Sequence, residues 1–405
     1  MSRIRTRAAV ALTILIATAS VVSLPAQKKD DRKPQEGALT PAQNAELAPV
    51  ILLVDEVMKG AAPAGTYTVP GTPPKDAATP VAPQAVAAPG DVVLAWKNDF
   101  LKGQNGMIYT PFTVSVDPGK LTANAVVGYL RVAAKGTTAA PTPAPKAAAA
   151  AAADPKDKKK KDSKDAKETK APESLYPFED VYFTDFRGAA GQPLKMSRAF
   201  AVAPGDYDVY FAVRERPAAS ATGGAAAAAD APVRIVVHKQ ELTVPNYHSD
   251  ELQTSSIIVA EKIEQLATPL PPEAIKERPY VLGEAEIVPA ADLKFKKTEE
   301  ISVVFQVYGV KFGEDKKPDL VVEYAFLQKD ASGEKPFNNT PPQAFNGQTL
   351  PPNFDPALGH QIVGGQAVPL ASFPEGDFRL AIKITDNKAG KSITRDVLFS
   401  VVPAS

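Results

Sequence analysis

The three histidines, His238, His248 and His360, are the first candidates for chemistry, because imidazole titrates near neutral pH and ligates metals. None lies at a metal-ligand spacing, and only His238 and His248 are close enough in sequence to meet at the end of one domain. Carboxylates cluster twice. Glu314, Asp315 and Asp319 flank Lys316-Lys317, a charge mix that reads as a solvated hairpin loop rather than a calcium cage. Glu179, Asp180 and Asp185 bracket a strand without an identifiable acid–base partner. No Gly-x-Ser-x-Gly elbow, Ser-x-x-Lys pair or phosphate-binding glycine loop leading into a helix occurs. With no cysteine in the chain, thiol catalysis, disulfides and zinc–thiolate sites are excluded. No catalytic residue, metal ligand or cofactor is therefore assigned. The remaining binding chemistry is aromatic. Trp96, Tyr109, Tyr129, Tyr182 and Tyr210 are candidates for a platform that stacks sugar rings or a partner, the alternative being that these strand aromatics fill a core.

The elements that would position these residues are strands. In PEGDFRLAIKITDNKAGKSITRDVLFSV, Phe378, Leu380, Ile382 and Ile384 alternate with Arg379, Ala381, Lys383 and Thr385. Period two puts the first set on one face. Asp386 to Gly390 supplies turn chemistry, and Ile393 to Val401 resumes the alternation, which predicts a hairpin. A looser copy begins at Pro204: Tyr207, Val209, Phe211 and Val213 form its inward face, and Val233, Ile235 and Val237 its return strand. Two such endings predict two β domains that close alike.

A basic stretch (Arg3, Arg5, Arg7), an apolar core over Ala8 to Val22 and Ser23-Leu24-Pro25-Ala26 predict a cleavable signal at residues 1–26, the alternative being an uncleaved anchor. Residues 27–45 read as a polar, disordered linker. The first domain is expected over 46–245, with strands at Val92 to Trp96, Ile108 to Val116, Val126 to Val132 and Val181 to Phe186. Val50 to Val54 reads as a strand or the start of a helix. This domain carries a flexible loop at 60–90 and a low-complexity Ala/Pro/Lys-rich insertion at 136–174. A connector spans 246–278, in which 255–266 fits a strand or a helix, strand being expected. The second domain covers 279–403, with strands at Tyr280 to Glu286, Ile301 to Val310 and Leu320 to Gln328, and a long ordered loop at 338–360 that crosses between sheets. The fold class is all-β, two tandem immunoglobulin- or fibronectin-like sandwiches.

The stretches KNDFLKGQNGMIYTPFTVSVDP, FEDVYFTDF and PGDYDVYFAVRER resemble secreted proteins of Acidobacteria. TSSIIVAEKIEQL and the closing GDFRLAIKITDNKAGKSITRDVLFSV are similar to the C-terminal β part of acidobacterial von Willebrand factor A-related proteins. The resemblance implies export and β-sandwiches and carries no activity with it. Asp55-Glu56-Val57-Met58-Lys59 stands where the metal-holding Asp-x-Ser-x-Ser of a von Willebrand domain would be, so that site is not carried over. The formal net charge of zero gives no bulk attraction to nucleic acid. Envelope or secreted proteins are the expected partners, with polysaccharide as the alternative and no membrane span once the signal is removed. The function expected is a non-enzymatic periplasmic or secreted binding or scaffolding module. The alternatives are a carbohydrate-binding sandwich and a hydrolase using carboxylates without a recognisable motif.

Overall fold

A computed structural model describes residues 39–60, 65–69, 84–85, 92–121, 123–137, 176–216, 233–268 and 270–403. The expected signal, most of the 60–90 loop, the 136–174 insertion from residue 138 onward and the loop at 217–232 lie outside the described residues.

The first described element is helix α1 (Pro41–Met58), where the sequence left strand or helix open for Val50 to Val54. Its start is set by a capping box. The Thr40 hydroxyl accepts from Gln43 N at 3.2 Å, and Gln43 Oε1 accepts from Thr40 N at 2.9 Å. Leu47, Val50, Ile51, Val54 and Val57 recur every three or four residues and make one buried face.

Ten strands follow in the first sandwich: β1 (Gly65–Val69), β2 (Gln84–Ala85), β3 (Ala95–Asn98), β4 (Leu101–Lys102), β5 (Ile108–Val116), β6 (Ala125–Ala134), β7 (Phe178–Asp185), β8 (Leu194–Val202), β9 (Gly205–Glu215) and β10 (Val233–Val244). One sheet has the order β2-β1-β10-β9-β6-β7; the other centres on β5, flanked by β8 on one side and by β3 and β4 on the other. Between them lie Phe112, Phe200, Val209, Phe211 and Val213. The β9–β10 pair is the looser of the two sequence hairpins, with Phe211 opposite His238 and Tyr207 opposite Leu242. Ile235 and Val237 point away from the sandwich core and pack with Tyr129, Tyr210 and Ala212 against α1. The six-stranded sheet is therefore apolar on both faces, one covered by a sheet and one by a helix.

The second sandwich contains β11 (Gln253–Thr254), β12 (Ile258–Gln265), the short helix α2 (Pro272–Glu277), β13 (Val281–Leu282), β14 (Ala285–Pro289), β15 (Lys294–Lys296), β16 (Glu300–Tyr308), β17 (Leu320–Asp330), β18 (Gly333–Asn339), β19 (Gln343–Phe345), β20 (Ile362–Pro369), β21 (Gly376–Asp386) and β22 (Lys391–Val402). Its near sheet runs β11-β16-β12-β14-β13 with β20 also on β16, and its far sheet runs β15-β22-β21-β17-β18 with β19 also on β17. Gln253–Thr254 and Ile258–Gln265, within the expected connector, are thus strands of the near sheet. The closing hairpin pairs Phe378 with Phe399 and Leu380 with Val397. Asp386, fully buried at its turn, accepts from Lys388 N (3.0 Å), Ala389 N (3.1 Å) and Lys311 N (2.8 Å). One carboxylate thus shapes the turn and ties it to the loop after β16. The described residues are all-β apart from α1 and two short helical turns, as the alternation predicts. Among the described residues no helix is long and apolar enough to cross a membrane.

Candidate functional site

The two sandwiches meet through the outer face of the β5 sheet and the outer face of the β16 sheet. Alternation along β16 makes this possible. Ile301, Val303, Phe305 and Val307 enter the core of the second sandwich, which turns Ser302, Val304, Gln306 and Tyr308 toward the first. Tyr308 reaches furthest. It joins the hydrophobic core of the first sandwich, its ring 5.0 Å from that of Tyr247, and its hydroxyl accepts from Lys102 N at 2.9 Å. Around it runs a polar seam. Ser256 N donates to Phe100 O (3.0 Å), and Phe100 N donates to Ser256 Oγ (2.9 Å). Tyr109 donates to Pro279 O (3.0 Å), Lys97 to Ala290 O (2.8 Å), and Arg198 meets Glu277 at 3.2 Å. At the centre the Tyr280 hydroxyl donates to Asp99 Oδ2 at 3.0 Å, with both side chains buried. Burial pushes the Asp99 carboxyl above its usual range, and the hydrogen bond from Tyr280 opposes that only in part.

Two clefts flank this seam, at opposite ends of the near sheet, because β16 and β20 run antiparallel with Glu300 opposite Pro369 and Val307 opposite Ile362. The wider, of about 850 Å³, has Gln192 and Lys195 of the first sandwich on one side and Asp292, Lys294, Glu299 and Glu300 of the second on the other. The narrower, of about 490 Å³, is lined by Lys102 and Gln104 of the first sandwich and by Gln306, Tyr308, His360 and Gln361 of the second, among others.

The five sequence-selected aromatics are not brought onto one surface. Tyr129 and Tyr210 are buried under α1, and Tyr182 is buried in the sandwich core with Arg198 over its ring at 5.4 Å. Tyr109 is engaged in the seam. Trp96 is half-buried at the flank of the first core, stacked on Phe112 at 4.2 Å and parallel to His238 at 6.2 Å. The histidines likewise have separate partners. His238 stands near Gln240 at 3.5 Å and is held by burial below the usual imidazole range; His248 Nε2 donates to Met107 O at 2.9 Å; His360 Nδ1 accepts from Asp355 N at 2.9 Å. In the 314–319 loop Lys317 Nζ donates to the carbonyls of Pro351, Pro352 and Phe354, and Asp315 meets Lys388 at 3.3 Å, so these charges pin loops. Glu179 binds Arg131, which is fully buried and also held by Asp55 of α1 at 2.5 Å. Among the described residues no three metal-ligating side chains converge.

Sequence reasoning missed Asp99, Tyr280, Gln306 and Tyr308. Only the last two carried a signal: a glutamine and a tyrosine on the same parity at the end of an otherwise apolar strand mark a face that leaves its own core for another contact.

No protein-family model and no curated protein matches the chain. Among solved structures it is similar to Escherichia coli alpha-2-macroglobulin activated by porcine elastase, at 11% identity and a TM-score of 0.20, covering 80% of this chain and 25% of that one. The native conformation of E. coli alpha-2-macroglobulin gives 11% identity and a TM-score of 0.20, covering 84% of this chain and 19% of that one. The chain thus spans a quarter or less of the length of these structures.

Proposed function

We propose that the chain is an exported, non-enzymatic module that binds other envelope or secreted proteins through the wide cleft between its sandwiches. The supporting observation is the make-up of that cleft. Its walls come from both domains, and it sets Lys195 and Lys294 among Asp292, Glu299 and Glu300. Mixed charge on a concave surface favours a polypeptide segment of complementary charge over a neutral ligand. The seam of hydrogen bonds beside it fixes the walls before a partner arrives, which lowers the ordering cost of association. Export rests on the basic, apolar and small-residue pattern of residues 1–26.

The test is affinity capture from the native envelope with the tagged mature protein, read against the double charge reversal Lys195→Glu/Lys294→Glu. A stoichiometric protein captured by the parent and lost by the variant is the expected result. Recovery of the bait alone, or a partner held equally by both, refutes this assignment. Retention on polysaccharide with no protein partner would replace it with the carbohydrate reading.

A further inference from the structure

The narrower cleft differs in chemistry from the wide one. It holds a lysine, a histidine and three glutamines, and among the described residues not one aspartate or glutamate lines it, although the chain as a whole carries as many acidic as basic residues. Lys102 forms no ion pair among the described residues; its ammonium stands 5.9 Å from the centre of the Tyr308 ring. His360 accepts a backbone N–H at Nδ1, so the neutral ring carries its proton on Nε2 and is a donor there. Gln306 is the sharpest case. It is 4% exposed, and its Oε1 accepts from the Tyr308 hydroxyl at 2.6 Å, but its side-chain nitrogen has no partner among the described residues. That nitrogen still reaches solvent, so a ligand oxygen entering the cleft takes the place of a water there.

Apolar side chains form one part of the lining, among them Val281, Leu282, Val310, Phe312 and Val363. The floor is held rigidly. Gly309 has φ +65°, and a Cβ there would fall 1.8 Å from Glu251 O, so β16 ends in one fixed path. The volume of about 490 Å³ is that of a small-ligand site.

We infer that this cleft binds a carboxylate attached to an apolar group, namely the C-terminal carboxylate of a peptide ending in an aliphatic residue. The donors, Lys102, the Gln306 amide and His360, take the carboxylate oxygens, and the aliphatic wall takes the last side chain. A uronic acid offers the same carboxylate but presents hydroxyls to that wall, which gives them no partner. This site stands apart from the wide cleft and does not depend on the partner reading.

The test is calorimetric titration of the full mature protein with N-acetyl-Ala-Val-Leu as the free acid, with its C-terminal amide, and with galacturonate. The free acid should bind about tenfold or more tightly than the amide, the usual worth of a charge-assisted contact. Lys102→Met should abolish that preference while leaving the unfolding temperature unchanged, because Lys102 is a half-exposed side chain of the cleft lining. Equal binding of acid and amide, no binding of either, a preference that survives Lys102→Met, or binding of galacturonate in place of the peptide overturns the inference.

Discussion

Asp99 shows how one carboxyl can be committed to structure rather than chemistry. It is 6% exposed, inside the seam, where Tyr280 donates to it and Ser256 and Lys97 also favour its charged form, but less than burial opposes it. Burial therefore sets its folded pKa above the ordinary value of 3.8. A raised folded pKa means that this group favours folding fully at pH below 3.8, and loses that contribution as the pH rises through the folded value. Asp99→Asn keeps an oxygen for the Tyr280 hydroxyl and removes the titration. The unfolding free energies of parent and variant, followed by urea titration from acid to neutral pH, should diverge in favour of the variant above 3.8; parallel curves would show that the folded carboxyl titrates normally. The same scale explains why the aromatic platform was not legible. Alternation tells which side of a strand a residue takes, not whether that side is covered. Tyr129 and Tyr210 do sit on the face opposite the sandwich core, but α1 lies over that face.

At the scale of elements, α1 is clasped as well as packed. Arg131 lies in a strand whose neighbours Tyr129, Leu130, Val132 and Ala133 are all buried, and it is itself fully buried. Its guanidinium joins Asp55 of α1 to Glu179 of β7, with the Tyr176 ring 4.2 Å away and the Tyr129 hydroxyl donating to Glu179. Arg131→Met leaves two carboxylates without their cation in a dry layer, and breaking such a set typically costs roughly 3–5 kcal/mol. Urea unfolding should register a loss of that order; a loss below about 1 kcal/mol would place the clasp with surface ion pairs. The strands were readable because their period is two and their inner residues are large and branched. Helix α1 was only half readable. Pro49 interrupts its pattern and the apolar run at Val50 to Val54 is short, so its length and its capping box emerge only once a sheet face is there to receive Leu47, Val50 and Val54. A lone arginine in an apolar strand was the available sign that something charged lies over that sheet.

For the whole molecule, the question is whether two sandwiches behave as one body. Each has its own core, and hydrogen bonds across a seam alone would permit independent unfolding, since domain contacts of that kind are modest. Tyr308 changes this, because a side chain from the second sandwich completes the hydrophobic core of the first and sits against Tyr247. Opening the junction would therefore leave a gap in the first core, expose the Tyr308 ring and free the hydroxyl that Lys102 N donates to. The parent should unfold in one calorimetric transition. Tyr308→Ala removes the bridging ring at a typical cost of roughly 3–5 kcal/mol. It should split the trace into two transitions, the earlier one belonging to the first sandwich, whose core has lost a member. If the variant still unfolds in a single transition, merely shifted to lower temperature, the coupling lies in the polar seam centred on Asp99 and Tyr280. The clefts would then owe their fixed shape to that seam and not to the inserted ring.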